Sequence, residues 1–239
     1  MLRFILSLLL LSSSLQGLMF PGVAAVGIIG SADGPSAVFV ASDLATNAPV
    51  FMVSPIDDST FGRINGSSWK PGCPVAIADL RLLAVSHVDF DGRVRKGELI
   101  CHRLVADELC AIFEELFEAG FPIASLMLID DYGADDLLSM DANNSSSFNY
   151  RTISGSASLS RHAYGLAVDI NPVQNPYVEG GGEYVSPEAG RAYLDRGDVR
   201  PGMVVPGNAA HKAFKSRGWT WGGDWKYQID YQHFQKTVK

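Results

Sequence analysis

The run Ser160-Arg-His162-Ala-Tyr-Gly165-Leu-Ala167-Val-Asp169, followed far downstream by Asp230-Tyr-Gln-His233, constrains this chain more than anything else in it. His162, Asp169 and His233 are residue types that bind zinc through nitrogen and oxygen. Three protein ligands leave a position open for water, which is the arrangement of a catalytic site. To share one ion, the two segments must be brought side by side by the fold. Gly165 permits a sharp turn between His162 and Asp169. Asp169 closes an otherwise apolar run, where an unpaired carboxylate is costly and a cation is its natural partner. Asp230 stands three residues before His233, near enough to serve as a base without ligating. His87, His102 and His211 read as core or surface histidines, whereas His162 and His233 each come with an acid at tight spacing.

The net charge of −7, with no basic run, gives no footing for a nucleic-acid partner. No stable protein partner is implied. Arg3 precedes the apolar run Phe4-Ile-Leu-Ser-Leu-Leu-Leu-Leu, and no charge recurs before Asp33. Residues 1–25 therefore read as a secretory signal ending in Val23-Ala24-Ala25, which predicts export to the periplasm or cell surface. An uncleaved membrane anchor is the alternative. Cys73, Cys101 and Cys110 leave two readings open: one pair plus one free thiol, or buried free thiols throughout.

Residues 26–75 are rich in Gly, Pro, Ser and Asn and are expected to be irregular. Within them, Gly27 to Val40 resembles a short motif of the beta subunit of sodium-pumping decarboxylases. A turn at Asp33-Gly34-Pro35 explains that run without transport, for which the chain lacks the spans. The folded domain is expected over 76–239. Residues 80–90 and 94–101 are β-rich and joined by Asp89-Phe-Asp91-Gly92, a hairpin signal. Residues 105–119 carry Leu109, Ile112, Phe113 and Leu116 at helical spacing, with Gly120 as the stop. Further expectations are a strand over 123–129, a short helix over 134–142 and a polar loop over 143–147. A strand over 166–170, a helix over 208–217 and a strand over 231–234 follow. Segregated strands and helices favour an α+β fold, a small antiparallel sheet with helices packed on it.

Taken together, Ser160-x-His162-x-x-Gly165-x-Ala167-x-Asp169 and Asp230-x-x-His233 resemble the zinc peptidases of the VanY / D-alanyl-D-alanine carboxypeptidase group. The likeness is nearest to the L-alanyl-D-glutamate endopeptidases of the phage endolysin type. Gly97-Glu-Leu-Ile, Phe121-Pro-Ile, Asn143 to Arg151 and Trp219-Thr-Trp-Gly-Gly-Asp-Trp225 agree with that subgroup in order. The resemblance implies a hedgehog / DD-peptidase-like fold, a Zn2+ cofactor on His162, Asp169 and His233, and peptidoglycan stem peptides as substrates. It implies Asp230 as the general base and Arg151 as the group that stabilises the developing oxyanion. Ion pairing with an acid such as Asp141 is the plainer reading of Arg151. Ser160, Tyr164 and Trp221 are candidate substrate contacts. Ser160 equally suits orienting the His162 loop, and core packing suits Trp219, Trp221 and Trp225. A zinc-stabilised wall-binding or regulatory module without turnover is the competing reading.

Overall fold

The computed structural model describes residues 48–238, together with a ladder of β1 (Gly30–Ser31) and β2 (Gly34–Pro35), which pair antiparallel. The signal-like segment and Asp33 lie outside the described residues. The ladder belongs to a unit of its own, residues 1–47, and all that follows concerns the unit from Ala48 onward.

The longest strands form one antiparallel sheet in the order β3–β4–β5, with β3 at Phe51–Pro55, β4 at Leu80–Val88 and β5 at Val94–His102. The β4–β5 hairpin turns where expected. Asp89 accepts from the backbone N–H groups of Asp91 and Arg93, and Gly92 takes a positive φ of 77°. Helix α2 (Ala106–Glu118) buries Leu109, Ile112, Phe113 and Leu116 in one cluster with Leu83, Val85 and Leu99 of the sheet. Full burial of a side chain such as Phe113 contributes on the order of 1.5–3 kcal/mol. The helix ends as the sequence predicts: Gly120 is left-handed, and the Phe121 N–H returns to the Leu116 carbonyl.

Three expectations are corrected. Residues 51–64 are regular rather than irregular: they supply β3 and α1 (Asp58–Ile64), which Asp57 caps by accepting from Thr60 N–H at 2.7 Å, while 65–75 run in turns. Ile64 and Val75 are buried with Leu80, Ile100 and Phe148 in a second cluster, so the folded unit begins near Ala48 rather than residue 76. Of the strand expected over 123–129, only β6 (Ser125–Leu126) forms. Side-chain carbonyls replace ladder partners there, because Ala124 N–H donates to Asn171 and Met127 N–H to Asn144. The loop expected over 143–147 contains β7 (Asn144–Ser145), parallel to β6, and Asn144, Ser145 and Ser147 are buried. Asn144 is satisfied by the Met127 backbone and Ser139, and Ser147 donates to Ala167, which is why polar residues can be interior here. The short helix α3 (Asp136–Asp141) is capped by Asp135.

The remaining strands are very short. β8 (Ala167–Asp169), β11 (Thr220–Trp221) and β13 (His233–Gln235) form a sheet in the order β11–β13–β8. β9 (Tyr177–Glu179), β10 (Tyr184–Ser186) and β12 (Ile229–Asp230) form another in the order β10–β9–β12. Helix α4 (Ala209–Lys215), capped by Asn208, sets Phe214 against Phe234 of β13, ring centroids 4.0 Å apart. Mixed helices and small, mostly antiparallel sheets make this an α+β fold. Cys73, Cys101 and Cys110 are free, and burial pushes the thiol pKa of each up.

Candidate metal centre

Ser160 begins the site. Its hydroxyl accepts from the His162 N–H at 3.2 Å and so starts a short turn at Arg161–Tyr164. Gly165 ends that turn with φ near 64°, and its carbonyl accepts from the His102 N–H. A Cβ at Gly165 would meet the His102 nitrogen at 2.6 Å, so position 165 needs glycine for space as well as conformation. β8 then carries Asp169 into antiparallel register with His233 of β13. This pairing across the chain is what brings the two motifs together.

The donor atoms converge. His162 Nε2 lies 3.2 Å from Asp169 Oδ2 and 3.1 Å from His233 Nδ1, and His233 Nδ1 lies 2.9 Å from Asp169 Oδ1. Zinc–ligand bonds of about 2.0–2.1 Å at tetrahedral angles put ligand atoms roughly 3.3 Å apart, so the set fits a zinc-sized ion. The far ring nitrogens are also committed. His162 Nδ1–H donates to the Ser147 carbonyl at 2.5 Å, and His233 Nε2–H donates to Gln235 Oε1 at 3.1 Å. These bonds leave Nε2 of His162 and Nδ1 of His233 as the lone-pair nitrogens facing inward.

The charges agree with a cation site. Burial alone would push the Asp169 carboxyl up, but His162 and His233 outweigh it and hold the group well below the usual carboxylate range. Burial lowers His233, and the Asp169 carboxylate more than reverses that, raising it to about 8. Asp230 is driven the other way. Its burial, helped by Asp169 and opposed by the two histidines, raises it to about 6. Asp230 Oδ1 is buried with no hydrogen-bond partner, an expensive state for a carboxylate. Its backbone is fixed by the β12–β9 pairing, Asp230 opposite Tyr177, and by the close approach of Gly222. A Cβ at Gly222 would lie 2.4 Å from the Asp230 carbonyl oxygen.

The other candidates separate clearly. Arg151 pairs through Nε with Asp136 rather than with Asp141, and Asp136 also accepts from Asn149, whose N–H donates to the His162 carbonyl. Trp221 is not an exposed platform: it is 3 % exposed, donates Nε1–H to the Tyr231 carbonyl, stacks on Phe234 and meets His211 edge-on. Trp219 is equally interior, whereas Trp225 is 38 % exposed with its ring centroid 5.6 Å from that of His233. Tyr164 packs its ring against the two apolar clusters, and Ser160 is buried at the turn it caps. Asp224 pairs with Lys215. Sequence reasoning missed Ser147 and Gln235, the partners that set the ring nitrogens. For Gln235 a signal existed, because residues two apart on a strand share a face.

Residues 154–236 match the family model described as D-alanyl-D-alanine carboxypeptidase. Over that stretch the chain is similar to the VanY-like D-alanyl-D-alanine carboxypeptidases. The matched stretch contains His162, Asp169, Asp230 and His233, whereas Arg151 precedes it. No curated protein and no solved structure matches the chain.

Proposed function

We propose that this chain is an exported zinc peptidase with a DD-peptidase-like fold that hydrolyses a peptide bond in peptidoglycan stem peptides. The bond is either the L-alanyl-D-glutamate bond or the terminal D-alanyl-D-alanine bond. The observation that carries the reading is the convergence of three inward-facing donor atoms together with Asp230, whose Oδ1 is buried without a hydrogen-bond partner. A zinc ion bound to His162, Asp169 and His233 would supply an activated water and polarise the scissile carbonyl. Asp230 takes the proton from the attacking water and returns it to the leaving amine, a role suited to a carboxylate lifted toward neutrality by burial. Arg151 donates to the developing oxyanion, and its pairing with Asp136 holds the guanidinium in one orientation. Ser147 and Gln235 keep the two imidazoles in the tautomers that ligate. The segment before Asp33 directs the chain out of the cytoplasm.

The test is mass spectrometry of purified stem-peptide fragments incubated with the zinc-loaded protein. Loss of a terminal D-alanine identifies a carboxypeptidase, and release of the peptide behind L-alanine identifies an endopeptidase. Zinc retained with no new product would replace the enzyme reading by a wall-binding module.

A further inference from the structure

Arg196 lies outside the strands that carry the metal ligands, yet its guanidinium ties their flanking segments together. Nη1 donates to the carbonyls of Gln174 at 2.8 Å and Tyr193 at 3.2 Å. Nη2 donates to Asn175 Oδ1 at 3.0 Å and to the Val204 carbonyl at 2.6 Å. The flat face lies over the ring of Tyr231, 4.3 Å from its centroid. Burial pulls the Arg196 pKa down to about 10, which leaves the group charged at neutral pH.

Both ends of this arrangement reach the site. Asn175 is 0 % exposed and donates Nδ2–H to the carbonyl of Ile170, the residue after Asp169. Its Oδ1 accepts from Val204 N–H at 2.6 Å as well as from Arg196. Tyr231 stands between Asp230 and His233 in sequence, with its N–H on the Pro176 carbonyl and its own carbonyl accepting from Trp221. One cation thus grips the Asp169 side through Asn175 and the Asp230–His233 side through an aromatic face. Only a planar fork can donate in its plane and stack on a ring at the same time, which lysine cannot imitate.

We propose that Arg196, acting with Asn175, is a positioning residue that sets the offset between the Asp169 strand and the Asp230–His233 segment. It acts through Asn175 and Tyr231. The proposal rests on the peptidase reading above and adds to it the device that holds ligands and base in one geometry.

The experiment compares the full-length wild type with Arg196→Met, Arg196→Lys, Tyr231→Leu and the double variant Arg196→Met/Tyr231→Leu. Each is loaded with cobalt(II), whose visible bands report ligand geometry, and assayed as the zinc form on stem peptide. Arg196→Met and Tyr231→Leu are expected to shift the cobalt bands and to lower kcat by roughly 10- to 100-fold with KM little changed, the cost of a misplacement of about 1 Å. Arg196→Lys should not restore the bands. The double variant should be no slower than the slower single one, because both changes break one path. Wild-type bands and kcat per folded enzyme in Arg196→Met, with only the melting temperature lowered, would overturn the proposal. Should Arg196→Met fail to fold, the same outcomes in Tyr231→Leu decide it. Were the wild type to cleave no stem peptide, the peptidase reading would fall, and unchanged cobalt bands would still be needed to overturn the positioning role.

Discussion

The β3–β4–β5 sheet with α2 and the short-stranded layer around β8 and β13 are built on different principles. The sheet has two strands of nine residues and a helix with one continuous apolar face, so burial of Leu83, Leu99, Ile112 and Phe113 holds it. The layer of the candidate metal ligands has strands of two or three residues and is held by side chains that satisfy backbone groups, such as Asn171, Asn175, Ser147 and Arg196. Apolar burial is non-directional, whereas a hydrogen bond fixes distance and direction together. The chain thus uses its forgiving region for stability and its exacting region for geometry.

That contrast can be broken at its strongest point first. His162→Ala should abolish metal binding and all measurable turnover while the far-ultraviolet circular dichroism stays native, because the sheet does not depend on the ion. Metal content by atomic emission checks it, and a collapsed fold would mean the layers are not separable. Asp230→Asn comes next. It should retain zinc and lose about 10²- to 10⁴-fold in kcat, the usual worth of a general base. Near-normal turnover in that zinc-loaded variant would remove Asp230 from the role. Phe113→Ala, on the sheet side, should cost about 3–5 kcal/mol by urea unfolding yet leave kcat per folded molecule unchanged.

The smallest effect is a pH dependence confined to the sheet. His87 is 4 % exposed with Nδ1 unpartnered, and burial lowers its pKa to about 4. The unfolded chain binds this proton below pH 6.5, and the folded one only near pH 4. Stability from this group is therefore complete above pH 6.5 and falls as pH drops toward 4, by roughly 3 kcal/mol over the whole window. His87→Leu should flatten that acid limb in denaturant titrations at stepped pH, and an unchanged slope would assign the loss to other groups.

The same division explains what could be read from sequence. Periodicity located β4, β5 and α2 within a residue or two, since apolar spacing is the force that forms them. It failed over 123–129, where asparagine side chains from distant segments satisfy the backbone, and over 143–147, whose buried serine side chains satisfy the backbone of other segments. It also failed over 51–75, where Gly, Ser and Pro outnumber the few anchors, Ile64 and Val75 among them, that fold the segment onto the unit. The convergence of His162, Asp169 and His233 was legible because ligand chemistry restricts residue type. The burial of Trp221 was not, because an indole serves a core and a binding face equally well.

The two histidines present different ring nitrogens to the same point, and this makes the centre lopsided. Nδ1 sits close to the main chain, whereas Nε2 lies at the far side of the ring. An asparagine amide reaches about as far as the former and a glutamine amide about as far as the latter. Substitutes for His233 and His162 are therefore not interchangeable, and a redesigned centre would need the shorter side chain at 233 and the longer at 162.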